Sequence, residues 1–162
     1  MPATIKIGVV SDTHSRKLPQ QMVNDFKNVD WIIHAGDFCE LADYAALAKI
    51  KETKAVQGNM DNPDIRKRFP RRQIIEAGRF RIGVFHGEGA RVMILKSVQN
   101  EFQGEDLDVI VFGHSHQAFN EKIDKTLYFN PGSPNDDIVA PYCSYGTLEI
   151  MDKKLVGKII KV

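Results

Sequence analysis

Five apolar runs in this 162-residue chain each end in an oxygen or imidazole donor. Ile5–Val10 is followed by Asp12 and His14, and Trp31–Ile33 by Asp37. Ala55-Val56 is followed by Asn59, Ile82–Phe85 by His86, and Val109–Phe112 by His114 and His116. None of these seven donors is a thiolate. Carboxylate, amide oxygen and imidazole suit Mn, Fe, Zn, Ni or Co better than a Cys-based structural zinc. Seven protein ligands are too many for one tetrahedral ion, but they suit two ions bridged by a carboxylate. Two divalent cations facing two carboxylates and a hydroxide leave about one net positive charge, which attracts a phosphodiester. Asn59 ligates without adding negative charge.

The spacing carries a geometric expectation. In an extended segment, residues i and i+2 point to one side, roughly 6–7 Å apart. Asp12 with His14, and His114 with His116, use that spacing, with Thr13 as a plain spacer. Gly36, Gly58 and Gly113 each precede a donor, where a Cβ would crowd the site or forbid the turn.

Strands and helices must carry these donors to one place. The apolar patterns predict strands at Ile5–Val10, Trp31–His34 and Thr53–Val56, with helices at Pro19–Phe26 and Leu41–Ile50 between them. That βαβαβ order implies a parallel sheet, and sites form at the carboxyl ends of such strands. Leu41, Tyr44, Ala45 and Ala48 are the expected apolar stripe of the second helix. "NPDIRKRFPRR" reads as a loop with a solvated basic face. Gln73–Glu76 and Arg79–Phe85 read as a hairpin around Ala77-Gly78. Ala90–Phe102 is expected to be helical, with Val92, Leu95 and Val98 in register. After Val109–Phe112 the pattern is β: Phe119–Asp124, Thr126–Asn130, Ser144–Met151 and Leu155–Val162. Residues 1–162 are therefore read as a single α/β domain of two packed sheets with helices outside.

Composition bounds the function classes. Hydrophobic residues make up 43%, charged residues 27%, and the formal net charge is +1, without the basic footprint of a dedicated nucleic-acid binder. Two cysteines, Cys39 and Cys143, fit a reducing cytoplasm. No apolar stretch approaches the ~20 residues of a membrane span, and no secretory signal is visible.

With these residues in view, "SDTHS", "AGD", "QGNMD", "FHGE" and "FGHSH" resemble, in order, the blocks of the calcineurin-like metallophosphoesterases. The short length, the GNMD variant and "FNPGSP" look most like the small YfcE-type phosphodiesterases. The resemblance implies a metallo-dependent phosphatase-like, four-layer αββα sandwich of two mixed β-sheets flanked by helices. It implies a dinuclear centre, with Mn expected first and Ni, Fe, Zn or Co as alternatives. Asp12, His14 and His116 would hold one ion, Asn59, His86 and His114 the other, and Asp37 would bridge. A metal-bound hydroxide would attack a small phosphodiester, with Asp37, Asn59 and His86 in the catalytic set and Arg16 and Asn59 on the substrate. Many relatives have a His where Met60 stands, and that His is thought to protonate the leaving group. General acid catalysis is typically worth about 10²–10⁴-fold, so diesters or activated esters are the expected substrates.

Several residues have quieter readings. His34 is expected to be a packed, hydrogen-bonded histidine, and Cys39 a small residue at the rim. Asp61 is expected to hold Asn59 or its loop. Glu88 stands where many subfamily members have a second His. Asn130-Pro131-Gly132-Ser133 reads as a tight turn, placed near the site by the resemblance. The rival function is a non-catalytic protein-interaction scaffold resembling the retromer scaffold subunit, which lacks several of these donors; a phosphomonoesterase or nuclease of the same fold is another. Expected partners are the substrate and, as an option, a second copy of the chain.

Overall fold

The facing of each strand follows from alternating side chains. In the computed structural model, which describes residues 3–162, β1 (Thr4–Val10) turns Ile7 and Val9 to one side and Val10 to the other, as the pleat dictates. A Cβ on Gly8 would lie 2.8 Å from the Phe26 ring, so that outer face receives α1 (Gln20–Phe26) at close range. The chain continues through β2 (Trp31–His34), α2 (Leu41–Ala48), β3 (Thr53–Ala55), α3 (Pro63–Arg68), β4 (Arg72–Ala77) and β5 (Phe80–Phe85). Then follow α4 (Ile94–Glu101), β6 (Val109–Val111), β7 (Phe119–Ile123), β8 (Thr126–Asn130), β9 (Ser144–Met151) and β10 (Lys154–Lys161).

Two mixed five-stranded sheets result, ordered β10-β9-β1-β2-β3 and β4-β5-β6-β8-β7. β1, β2 and β3 are parallel, as the βαβαβ pattern predicts, while β9 and β10 add antiparallel strands beyond β1. In the second sheet β5, β6 and β8 are parallel, and β4 and β7 are antiparallel edges. The core between the sheets unites Ile7, Val9 and Ile33 with Ile82, Val84, Val109, Val111 and Phe129. The outer face of the first sheet packs Val10, Ile32 and Tyr145 on Met22 and Phe26; that of the second packs Ile110 and Phe112 on Ile94, Val98 and Phe102. The layers are helix, sheet, sheet, helix, as expected.

Three local expectations are corrected. The stretch read as a basic loop contains α3. Asn62 caps it by accepting from Ile65 N–H at 3.1 Å, Pro63 opens it, and Arg66, Lys67 and Arg68 close it; every one of these is a helix-end preference. The Ala90–Phe102 segment begins with a 3-10 turn at Arg91–Met93, which leaves Val92 91% exposed. Its buried stripe is Ile94, Val98 and Phe102, at i, i+4 and i+8. In α2 the buried residue is Leu47, Leu41 and Tyr44 are partly buried, and Ala45 and Ala48 are exposed. Among the described residues no helix is long and apolar enough to cross a membrane.

Candidate metal centre

The donors converge through strand-end turns rather than along extended strands. Asp12, His14, Asp37, His114 and His116 all adopt positive φ, between 48° and 68°. For residues with a Cβ this costs roughly 1–2 kcal/mol each, and such strain gathers at functional sites. The expected extended i, i+2 geometry is therefore wrong. The turns bring His14 Nε2 within 3.7 Å and His116 Nε2 within 3.3 Å of Asp12 Oδ1, while His114 is turned to Asn59 instead.

Hydrogen bonds hold these turns. Asp12 N–H donates to Gly36 O and His14 N–H to Asp37 O, both at 3.0 Å, tying the first segment to the second. Ser133 Oγ donates to Asp12 O at 2.8 Å, and Asn135 Nδ2 to Thr13 O at 3.0 Å, so the Asn130–Ser133 turn does lie against the site. Thr13 is more than a spacer. Gly36 N–H donates to His34 Nδ1, so Nε2 carries the proton and donates to Thr13 Oγ1 at 3.0 Å. His34 is a buried brace, as expected.

Asp61 holds the second and third loops together. Its carboxylate accepts from the N–H groups of Asp37 (3.0 Å), Cys39 (2.7 Å) and Gly58 (2.7 Å). Asn59 is held by another residue: Arg66 donates to Asn59 O at 2.6 Å and to Asp61 O at 2.9 Å. The basic stretch is thus no merely solvated face, since Arg71 and Arg72 also pair with Glu88, Glu101 and Glu105. The glycine reading holds. A Cβ on Gly58 would stand 2.2 Å from Asp37 Oδ1, and one on Gly113 would stand 2.0 Å from Ser11 Oγ and 2.7 Å from Asp12 Oδ2.

Each carboxylate is anchored by one oxygen and presents the other. Asp12 Oδ2 accepts from Ser11 Oγ (2.8 Å) and His114 N–H (3.0 Å). Asp37 Oδ1 accepts from Met60 N–H at 2.7 Å. The presented oxygens face imidazole nitrogens. Asp12 Oδ1 lies 3.3 Å from His116 Nε2, 3.7 Å from His14 Nε2 and 3.8 Å from His86 Nε2. Asp37 Oδ2 lies 3.2 Å from His86 Nε2 and 3.8 Å from His14 Nε2.

The histidines are aimed from behind. His86 Nδ1–H donates to Ala35 O at 2.8 Å, leaving Nε2 toward Asp37 and, at 3.0 Å, Asn59 Oδ1. His114 Nε2–H donates to Gly89 O at 2.7 Å, turning Nδ1 to Asn59 Oδ1 at 3.1 Å. His116 Nδ1 donates to the Asp136 carboxylate, turning Nε2 to Asp12 and to His14 Nε2, 3.2 Å away. A second partner on the far nitrogen is what fixes a metal-binding imidazole. Sequence reasoning missed Asp136; only the loop after the Asn130–Ser133 turn brings it there. Cys39 Sγ lies 3.5 Å from His14 Nδ1, at the rim as expected.

Asp12, His14 and His116 form one donor cluster, and Asp12, Asp37 and His86 a second, each with its ligand atoms within 4.8 Å of one another. Asn59 and His114 adjoin the second. Asp12 belongs to both clusters; Asp37 belongs to the second, and its Oδ2 lies 3.8 Å from His14 Nε2 of the first. Among the described residues Asp12 Oδ1 is buried with no hydrogen-bond partner, and a buried carboxylate oxygen without a partner is costly. A cation ringed by these nitrogens would satisfy it, so the donor set fits divalent ions. Arg16, whose guanidinium donates to Asn135 O at 3.0 Å, lines a cavity beside His14 and His116.

Protonation follows the same geometry. Burial alone would raise Asp12, but His86, His116 and His14 outweigh it and hold the carboxyl far below its usual range. Asp37 is likewise lowered, by His86 against the cost of burial. His86 is pushed up to about 9: burial opposes its charge, and Asp12 and Asp37 prevail. His116 rises against burial through Asp12 and Asp136. Burial drives His34 down to about 3. Cys39 is pushed up to about 12 by burial and neighbouring carboxylates, so its thiol stays protonated.

These shifts set two pH windows for the metal-free protein. His34 takes up a proton more readily unfolded than folded, so stability falls as pH drops from about 6.5 toward about 3. His86 binds its proton more tightly when folded, so stability falls as pH rises from about 6.5 toward about 9. Thermal melts of metal-free protein are therefore expected to peak near pH 6.5, each titrating group adding up to about 1.4 kcal/mol per pH unit to its limb. His34→Gln should flatten the acid limb only. A monotonic profile would contradict the assigned protonation.

Residues 5–153 match the model of the calcineurin-like phosphoesterase superfamily domain. A probable metallophosphoesterase of Methanocaldococcus jannaschii is 35% identical, over 98% of this chain and 82% of its own. A phosphodiesterase of the same organism is 27% identical over 79% of this chain and 83% of its own. The structure of vacuolar protein sorting 29 from Cryptosporidium parvum superposes with a TM-score of 0.77 at 18% identity, covering 98% of each chain, a likeness of fold. Matched along most of its length by this family, the chain belongs to the calcineurin-like phosphoesterase superfamily.

Proposed function

We propose that this protein is a phosphodiesterase that works with two divalent cations, Mn first among them, bound by Asp12, His14, Asp37, Asn59, His86, His114 and His116. The single observation that carries this reading is the partnerless buried Asp12 Oδ1, common to both donor clusters. Asp12, His14 and His116 would hold one ion, Asn59, His86 and His114 the other, and Asp37 would bridge them. Asp12 Oδ1 also lies 3.8 Å from His86 Nε2 of the second site, so its charge bears on both. When bound, two such ions polarise phosphoryl oxygens and lower the pKa of a water to near neutrality.

The chain's own residues do the rest. The Ala35, Gly89 and Asp136 contacts hold His86, His114 and His116 in place, and positioning within a fraction of an ångström is what such a site needs. Asn59, being neutral, keeps the site attractive to an anion. Arg16 stands beside the His14–His116 pair, where it contacts the substrate. The Met60 side chain is 59% exposed and carries no proton to give, which favours diesters whose leaving group departs unaided. With Cys39 and Cys143 both free thiols, a reducing cytoplasm is the proposed setting. Residues 1–162 are proposed to act as one catalytic domain.

The test is a phosphoester panel with Mn-loaded protein. Bis-p-nitrophenyl phosphate should turn over faster than p-nitrophenyl phosphate, and Asp37→Ala should lower diester turnover by at least about 10²-fold. Turnover no higher than that of Asp37→Ala would favour a scaffold. A preference for the monoester would contradict the reading of Met60.

A further inference from the structure

The two sides of the donor clusters differ in character. On the Asn59–His86 side lies a cavity of about 240 Å³ whose arginines, Arg66 and Arg71, are already engaged. On the His14–His116 side lies one of about 280 Å³, bounded by Arg16, Asp136, Ile138 and Val139. Ile138 is 80% exposed and Val139 49%. Their exposure is built in: both backbone N–H groups donate to Asp136 Oδ1 at 3.0 Å, while the other Asp136 oxygen accepts from His116. One carboxylate thus aims a donor histidine and sets two branched apolar side chains at the edge of the same cavity. The Arg16 guanidinium faces this cavity, held by its bond to Asn135 O.

Resting on the phosphodiesterase reading, the structure assigns this cavity as the subsite for an aromatic ester group of the substrate. A phosphate bridging the donor clusters projects one ester substituent past His14 and His116 into it. A flat ring there gains apolar contact from Ile138 and Val139 and a cation–π contact from Arg16. An alkyl group as small as methyl offers too little apolar surface to gain from Ile138 and Val139 and has no ring for Arg16 to stack on. The substrate class is a phosphodiester with at least one aromatic ester.

Two measurements on the full-length protein test this. The first is steady-state hydrolysis of bis-p-nitrophenyl phosphate by Mn-loaded wild type and an Ile138→Ser/Val139→Ser double variant. The double variant should raise KM about fivefold to tenfold, with inhibition by methyl phosphate unchanged. The second is amide NMR of Zn-loaded protein titrated with phenyl phosphate and with methyl phosphate. Phenyl phosphate should shift the Ile138 and Val139 amides, and methyl phosphate should leave them in place while still shifting those of the donor segments. An unchanged KM, or equal shifts with both ligands, overturns the subsite. A wild type with no turnover overturns the phosphodiesterase reading instead, and the NMR comparison still decides the subsite.

Discussion

Asp12→Asn is expected to strip both cation sites at once and to lower diester turnover by about 10³-fold or more. The substitution nearly preserves shape. Its amide oxygen can still accept from Ser11 Oγ and His114 N–H, which anchor Oδ2 in the native protein. What it loses is the charge on Oδ1, the buried oxygen without a partner that faces His14, His86 and His116. Metal analysis after dialysis against Mn should find less than one ion per chain in a protein whose circular dichroism matches wild type. A further readout is independent of catalysis. Asp12 is the foremost charge that raises His86, so the alkaline limb of the metal-free stability profile should shrink in the variant. Full retention of Mn would show that the charge on Asp12 Oδ1 is needed at neither cation site.

Asp61→Ala should cause the largest loss of stability. Three N–H groups, from Asp37, Cys39 and Gly58, share its carboxylate. Leaving buried donors unpaired costs about 1–3 kcal/mol each, so a destabilisation of roughly 3–9 kcal/mol and a fall in Tm of at least about 6 °C are expected. Asp61→Asn should recover about half of this. Its single amide oxygen can serve Asp37 and Gly58, as Oδ2 does, but then its NH₂ faces the Cys39 N–H. Chemical denaturation compares the three proteins directly. An alanine variant within 1 kcal/mol of wild type would show that water replaces the carboxylate.

Both predictions turn on residues whose importance was unequally legible in the sequence. Asp12 was visible because strand ends in an α/β chain are a restricted place. Five of them carrying oxygen or nitrogen donors is a pattern that periodicity alone can locate, and the glycines before Asp37, Asn59 and His114 mark the crowding found around their neighbours. The strands were legible for the same reason, since burial on both faces writes unbroken apolar runs such as Val109–Val111. Side-chain conformation was less legible. Nothing in "SDTHS" announces a left-handed turn, because an Asp or His at positive φ is imposed by tertiary hydrogen bonds such as His14 N–H to Asp37 O. Asp136 was hidden because its partner His116 is 20 residues away and the loop between them has no period. Thr13 looked like spacing until His34, from another strand, was placed against it. The helix at Pro63–Arg68 is different. Its Asn-Pro cap is explicit in the sequence, but the run of basic residues after it suits an exposed loop equally well.

The central claim is that two cations, both held by this donor set, are needed to hydrolyse a phosphodiester. Its most direct test is to titrate Mn into metal-free protein while following hydrolysis of bis-p-nitrophenyl phosphate. Turnover should stay near background through the first equivalent, climb through the second and level off at two ions per chain. A plateau after one equivalent, or no turnover at any Mn concentration, would contradict the account.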